Sequence, residues 1–172
     1  IVIAGKGDGF SAGIDITMFM SDFQINEDMS STPKDRKKLK NQIKKMQDAF
    51  TALSKTTVPV IALAHGHCIG GATALISACD IRISTKDAKF SIGETKLGLV
   101  ADVGILQRMP KIVSKGDLRE LAYTGKVFDG DYAEKIRFVS KTYKNFDDLF
   151  DAGVELAEEI ASNASNIVQG TK

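Results

Sequence analysis

Two carboxylates, Glu94 and Asp102, lie eight positions apart in a segment rich in glycine and apolar side chains. Glu94 follows Gly93 and is flanked by Ile92 and Leu97. A carboxyl group in such surroundings loses hydration, which raises its pKa and suits it to act as a base. The alternatives are an exposed loop glutamate and an aspartate that caps the next helical turn.

Two glycine turns, Gly13-Ile14 and Gly70-Gly71, could place backbone N–H groups near such a base. Each connects a predicted strand to a predicted helix, and the first N–H groups of a helix have no intrahelical acceptor. Two donors aimed at one oxygen form an oxyanion hole, in which each donor contributes about 3 to 4 kcal/mol of transition-state stabilisation. An ordinary strand-to-helix loop is the alternative for the first turn. Neither turn has the G-x-G-x-x-G or G-x-x-x-x-G-K-[ST] pattern of nucleotide sites.

Structural roles are the better interpretation for other reactive side chains. Asp80 and Arg82 alternate on a predicted strand, which favours an ion pair or edge contacts over catalysis. His65 and His67 are one residue apart, but no third metal ligand is placed nearby, so no metal site is predicted. Cys68 lies among apolar residues and is interpreted as a small buried side chain.

Strands and helices alternate along the predicted chain. Apolar runs over residues 1–4, 58–64 and 80–84 predict strands, and residues 58–64 are continuously apolar, as expected for a strand covered on both faces. Thr32 and Pro33 begin a long helix with apolar residues at spacings of three and four. Further helices are predicted after Gly13 and over residues 72–79, 115–124, 129–136 and 147–162, and further extended segments over residues 89–92 and 138–142. This order predicts an α/β fold with its chemistry at the carboxyl ends of parallel strands.

The composition is that of a single globular domain, with 172 residues, 43% hydrophobic and 26% charged. The formal net charge of +1 provides no general attraction for nucleic acid or an anionic membrane. The lysine-rich face of the long helix is interpreted as solvated, with a phosphate-attracting patch as the alternative. Two cysteines predict no disulfide framework, and no apolar run is long enough to span a bilayer. The chain opens within a strand pattern without Met, so we expect both ends to be cut and targeting signals to be missing.

Four motifs together resemble the crotonase (enoyl-CoA hydratase/isomerase) superfamily, with most similarity to its Δ3,5-Δ2,4-dienoyl-CoA isomerases. They are Phe10-Ser11-Ala12-Gly13-Ile14-Asp15, His65-Gly66-His67-Cys68-Ile69-Gly70-Gly71, Ser77-Ala78-Cys79-Asp80-Ile81-Arg82 and Gly98-Leu99-Val100-Ala101-Asp102-Val103-Gly104. The resemblance implies a spiral of ββα units. Residues 1–172 would form one partial domain without the family's N-terminal strands and C-terminal trimerisation helices. It also implies assembly into trimers or hexamers.

The resemblance further implies how an acyl-CoA thioester would bind. The thioester oxygen would lie between the N–H groups of Ile14 and Gly71. Ala12, Asp15 and Ile16 would help to hold the adenine part of CoA. The CoA is part of the substrate, and no separate cofactor is expected.

The implied activity depends on which carboxylates are present. Glu94 matches the catalytic glutamate shared by hydratases and isomerases, and Asp102 matches an aspartate of the dienoyl-CoA isomerase pocket. The position of the second acid–base carboxylate falls on Ala74, which cannot move a proton, so hydratase activity is disfavoured. We therefore expect an acyl-CoA isomerase of fatty-acid β-oxidation, mitochondrial or peroxisomal if the source is eukaryotic. The alternatives are a Δ3,Δ2-enoyl-CoA isomerase that uses Glu94 alone and a non-catalytic acyl-CoA binder.

Overall fold

A computed structural model describes residues 1–15 and 32–172 of the chain. Within them the strands are β1 (Val2–Ala4), β2 (Ile61–Ala64), β3 (His67–Ile69), β4 (Ile81–Thr85), β5 (Lys89–Ser91), β6 (Val127–Asp129) and β7 (Thr142–Tyr143). The helices are α1 (Pro33–Lys55), α2 (Gly71–Ile76), α3 (Ile105–Arg108), α4 (Lys115–Thr124), α5 (Gly130–Lys135), α6 (Phe146–Ala161) and α7 (Ser165–Thr171). Two 3₁₀ helices cover Glu94–Leu97 and Met109–Lys111. The helix predicted after Gly13 falls mainly outside the described residues.

A parallel sheet with strand order β1-β2-β4-β7 forms the centre of the fold. Ile61 in β2 pairs with Val2 on one side and with Ile81 on the other. All four residues of β2 are buried, because its neighbours cover both edges and helices and loops cover both faces. The α/β fold predicted from the alternation of strands and helices is therefore confirmed.

A second sheet has the strand order β3-β5-β6. It was not predicted as a sheet from the sequence. β3 runs parallel to β5, and β6 runs antiparallel to β5. β3 falls inside what was predicted to be a glycine loop, and strands of three residues are too short to show a periodic pattern. Gly66 allows the sharp connection from β2, since its φ is +52° and a Cβ atom there would lie 2.0 Å from the Asp8 carbonyl oxygen.

Helix α6 covers one face of the parallel sheet. Leu149 on α6 packs with Ile61, Leu63 and Ile83 in one buried cluster. The opposite face joins a larger core that includes three phenylalanine rings with centroids 5.5 to 6.2 Å apart, namely Phe90, Phe128 and Phe138. The two small sheets are thus held together by one continuous apolar core on that side.

Helix α1 begins as the sequence predicts. Thr32 forms a capping box with Asp35, and Pro33 occupies the first turn. No residue of α1 is fully buried, but Met46, Phe50 and Leu53 pack against the core. No described helix is both long enough and apolar enough to cross a membrane.

The bounds predicted for the strand over residues 138–142 are wrong. Only Thr142–Tyr143 pair with β4, whereas Phe138 and Val139 are buried without joining the sheet. Phe138 instead accepts a hydrogen bond at its carbonyl oxygen from Arg82 Nε, 2.7 Å away. Buried apolar residues have the same composition whether they lie in a turn or in a strand, so composition does not distinguish the two.

Candidate active site

The two glycine turns lie against each other. Ser11 N donates to the His67 carbonyl oxygen at 2.8 Å, and Ile69 N donates to the Ser11 carbonyl oxygen at 3.1 Å. Through these bonds the segment before Gly13 lies parallel to β3. A Cβ atom on Gly13, whose φ is +93°, would lie 2.7 Å from the Ile69 carbonyl oxygen and 3.8 Å from Gly71 N.

Both predicted donors have free N–H groups within the described part of the chain. Gly71 is the first residue of α2, so its N–H group has no acceptor inside the helix. Ile14 follows Gly13 and is an exposed residue. Neither N–H group donates to an acceptor among the described residues. The fold therefore brings the two turns together and leaves two donors available for a ligand oxygen.

Glu94 faces the second turn. It begins the 3₁₀ helix after β5, and a Cβ atom on Gly70 would lie 3.8 Å from Glu94 Oε1. Glu94 Oε2 is buried and has no hydrogen-bond partner among the described residues. Burial raises the pKa of Glu94, and the negative charge of Asp102 raises that pKa further. Such a carboxylate is suited to accept a proton.

Asp102 lies in the turn before α3. The cap position of α3 is Gly104, with φ +95° and no capping side chain, so a cap role for Asp102 is ruled out. Partial burial raises the pKa of Asp102, although its side chain keeps contact with solvent. The negative charge of Asp102 contributes to the raised pKa of Glu94.

Two residues that the sequence analysis missed hold the turn that carries Asp102. Gln47 Nε2 on α1 donates to the Asp102 carbonyl oxygen at 2.5 Å. Arg108 Nη1 donates to the Val103 carbonyl oxygen at 3.0 Å. A lone glutamine on the polar side of a helix carries no sequence signal for such a contact, because it depends on how distant elements pack.

The residues predicted to hold CoA are described only in part. Ala12 and Asp15 are exposed and flank the first glycine turn. Ile16 lies outside the described residues. The CoA-binding role of these three residues stays a prediction.

Ala74, the position at which a second carboxylate was expected, is fully buried on α2. Its N–H group donates to the Gly70 carbonyl oxygen at 3.0 Å, so the two residues lie one helical turn apart. Glu94 Oε1 lies beside Gly70, the residue one helical turn before Ala74. The only side-chain carbon at Ala74 is a methyl group, which takes no part in proton transfer.

The histidines and Cys68 do not form a reactive centre. His65 is buried with Nε2 2.9 Å from the Gly7 carbonyl oxygen, whereas His67 is exposed. The described residues contain no group of three potential metal ligands. Burial raises the pKa of the Cys68 thiol far above its ordinary value, so it is not a thiolate nucleophile near neutral pH.

Asp80 and Arg82 are structural, but their partners differ from those predicted. Asp80 Oδ2 accepts from Val60 N at 2.7 Å and lies 2.8 Å from Lys172 Nζ. Arg82 Nη1 donates to the Cys79 carbonyl oxygen at 2.7 Å. Each side chain thus ties loops to the sheet and does not face the glycine turns.

The chain matches known proteins over its whole length. The model of the enoyl-CoA hydratase/isomerase family matches residues 1–172. The mitochondrial Δ3,5-Δ2,4-dienoyl-CoA isomerase of Dictyostelium discoideum is 41% identical over 100% of this chain and 58% of its own length. The peroxisomal enzyme of the same name from Arabidopsis thaliana is 40% identical over 100% of this chain and 62% of its own length.

Solved structures show the same fold. The enoyl-CoA hydratase of Bacillus anthracis superposes with a TM-score of 0.84 at 28% identity, covering 98% of this chain and 60% of that one. A Thermobifida fusca YX protein solved in complex with CoA gives a TM-score of 0.86 at 30% identity, covering 99% of this chain and 64% of that one. The chain thus spans about three-fifths of the length of these relatives. The resemblance and the crotonase-like fold expected from the sequence are confirmed, and the chain belongs to the enoyl-CoA hydratase/isomerase family.

Proposed function

We propose that the protein is an acyl-CoA isomerase that shifts double bonds of unsaturated fatty enoyl- or dienoyl-CoA in fatty-acid β-oxidation. The observation that carries this proposal is the position of Glu94. Its carboxylate is half-buried, has a raised pKa and lies beside the Gly70-Gly71 turn, where the N–H group of Gly71 has no acceptor among the described residues and is available to a thioester oxygen. Relatives about 40% identical over the whole chain bear the name Δ3,5-Δ2,4-dienoyl-CoA isomerase, which supports the same substrate class.

In the proposed reaction Glu94 removes a proton from the carbon next to the thioester carbonyl. The electron pair moves into a dienolate whose oxygen carries the negative charge. The N–H groups of Ile14 and Gly71 donate hydrogen bonds to that oxygen and stabilise the charge as it develops. The double bonds shift when a proton is returned further along the acyl chain.

Asp102 is the proposed second carboxylate. In a 3,5-dienoyl thioester the proton is returned four carbons from where it was removed, which favours a second group as the acid. Partial burial raises the pKa of Asp102, which is the direction that suits a carboxyl group acting as an acid. After the transfer Glu94 holds the abstracted proton and Asp102 is ionised, and exchange with solvent restores the starting state.

The alternative favoured by Ala74 is a Δ3,Δ2-enoyl-CoA isomerase. That reaction returns the proton only two carbons away, so Glu94 alone can carry it. A non-catalytic acyl-CoA binder is the alternative from another class, also motivated by Ala74. Hydratase activity is disfavoured, because activation of water and protonation of the α-carbon use two groups.

The test is an assay of the purified full-length protein on 3-enoyl-CoA and 3,5-dienoyl-CoA in parallel. Faster turnover of the dienoyl substrate supports the primary proposal, and turnover restricted to 3-enoyl-CoA supports the alternative isomerase. CoA-thioester binding without turnover of either substrate would identify a binder.

Glu94→Gln tests the base directly. The amide cannot accept the proton, so we expect turnover to fall by at least a thousandfold, while the fold and CoA-thioester binding persist. Glu155→Gln is the matched control, because Glu155 is exposed on α6 away from the glycine turns. Near-normal turnover in Glu94→Gln would remove Glu94 as the base.

Binding, assembly and location follow from the same proposal. Ala12, Asp15 and Ile16 would contact the adenine part of CoA. Self-association into trimers or hexamers is proposed from the family resemblance, and light scattering of the full-length protein tests it. The names of the relatives support a mitochondrial or peroxisomal location.

A further inference from the structure

The turn that carries Asp102 has little regular structure of its own. Residues 98–103 belong to no helix or strand, and α3 begins only at Ile105. A carboxylate on such a segment is placed accurately only if other elements fix the backbone around it. The contacts that fix this backbone therefore bear on any chemistry that Asp102 performs.

Helix α1 makes these contacts through one face. Gln47 Nε2 donates to the Asp102 carbonyl oxygen at 2.5 Å. Thr51, four residues further along the same face, accepts a hydrogen bond at Oγ1 from Arg108 Nη2 at 3.1 Å. The other arm of Arg108, Nη1, donates to the Val103 carbonyl oxygen at 3.0 Å. Two consecutive carbonyl groups are thus bound to α1, one directly and one through Arg108.

Gly104 allows the guanidinium to reach this position. A Cβ atom on Gly104 would lie 2.3 Å from Arg108 Nη1 and 2.9 Å from Arg108 Cζ. Arg108 is half-buried and folds back over the turn that precedes its own helix. The two contacts of the Arg108 guanidinium therefore depend on the absence of a side chain at Gly104.

We infer that Gln47 and Arg108 are positioning residues for the Asp102 carboxylate, and that α1 sets the geometry of this carboxylate through them. The inference rests on the proposed isomerase function, in which Asp102 returns the proton. The two carbonyl groups follow the Asp102 Cα atom, so the bonds to them fix the direction in which the side chain leaves the backbone. Neither residue touches the reacting atoms.

The test is Gln47→Leu in the full-length protein. Leucine has a similar size but cannot donate, so the Asp102 carbonyl oxygen loses its partner. Displacement of a reacting group by about 1 Å can cost about a hundredfold in rate. We expect kcat on the dienoyl substrate to fall about ten- to a hundredfold while KM changes little. Gln42→Leu is the matched control, because Gln42 is the other glutamine of α1 and donates no hydrogen bond to the turn.

A double-mutant cycle separates positioning from general stability. In an Asp102→Asn background the further change Gln47→Leu should have almost no effect on kcat, because its effect passes through Asp102. Arg108→Lys keeps the charge but loses the two-armed contact. Like Gln47→Leu, it should lower kcat in the wild type and have almost no effect on kcat in the Asp102→Asn background. If Gln47→Leu lowers kcat in the Asp102→Asn background by the same factor as in the wild type, the inference is overturned.

An NMR titration of ¹³C-labelled aspartate side chains gives a readout that does not need turnover. Gln47→Leu should move the Asp102 titration towards that of an ordinary aspartate, because the loosened turn becomes more hydrated. Gln42→Leu should leave it unchanged. If the wild type turns over neither substrate, the proposed function fails while this titration still tests the positioning. An Asp102 titration that is identical in wild type and Gln47→Leu would overturn it.

Discussion

The two carboxylate oxygens of Glu94 lie in different environments. Oε1 faces the Gly70 backbone, whereas Oε2 is buried and has no hydrogen-bond partner among the described residues. Hydrogen bonds to an ionised carboxylate would lower its pKa, and their absence at Oε2 lets burial dominate. The same absence leaves one oxygen free for the proton of a substrate. The raised pKa and the unpaired oxygen thus have a common structural origin.

The raised pKa of Glu94 predicts the acid limb of the pH profile. A base works only when ionised, so kcat/KM should rise with pH through a pKa above the ordinary value of about 4.3 for glutamate. When Asp102 is ionised, its negative charge disfavours ionisation of Glu94. Asp102→Asn carries no charge at any pH, so the limb should shift to lower pH even if the maximal rate falls. The measurement is kcat/KM against pH for both proteins. A limb that stays in place or moves to higher pH would contradict the coupling.

At the scale of elements, the contact between the Gly13 turn and β3 decides whether the two N–H donors converge. The segment before Gly13 pairs with β3, and β3 leads directly into the Gly70-Gly71 turn. One short strand therefore holds both turns in register. The hydrogen bonds between the segment before Gly13 and β3 join backbone atoms.

Gly13→Ala tests that alignment. Alanine at φ +93° is strained by about 1 to 3 kcal/mol, and its Cβ would lie 2.7 Å from the Ile69 carbonyl oxygen. The turn must shift to relieve the contact, so we expect kcat to fall at least tenfold and CoA-thioester binding to weaken. Gly116→Ala in α4 is the control, because no atom lies closer than 3.7 Å to its Cβ position. Equal activity of both variants would show that the close approach is unimportant.

Helix α2 gives the second test at this scale. Ala74 lies one turn from Gly70, and Gly70 adjoins Glu94 Oε1. Ala74→Asp would introduce a carboxyl group one helical turn from Gly70, and a large gain in dienoyl-CoA turnover would show that the present site lacks a partner group. Ala74→Asn is the matched control, since it has the same shape and burial but transfers no proton. If neither variant gains activity, Asp102 or another residue already fills the role.

At the scale of the whole molecule, the long elements and the glycine turns could be predicted, whereas the packing between them could not. The cap of α1 and the buried run of β2 are local patterns, and so are readable from the sequence. β3 and β6 have three residues each, and their existence depends on pairing with β5. The same limit applies to the site. Glu94 and Asp102 are marked by composition, while Gln47 and Arg108 join them only through tertiary contacts.

The contact between α6 and the parallel sheet is close enough to be tested as a property of the entire fold. A Cβ atom on Gly153 in α6 would lie 2.5 Å from Leu63 Cδ2, and Leu63 in β2 is fully buried. Gly153→Ala would gain up to about 1 kcal/mol of helix propensity but would overpack the core at a cost of about 1 to 3 kcal/mol. We expect a net loss of stability and a fall of several °C in Tm, measured by thermal unfolding. Gly170→Ala in α7, where the added Cβ meets no atom within 4 Å, carries only the propensity gain and should not lower Tm. If both variants raise Tm alike, α6 is not packed against Leu63 as closely as described.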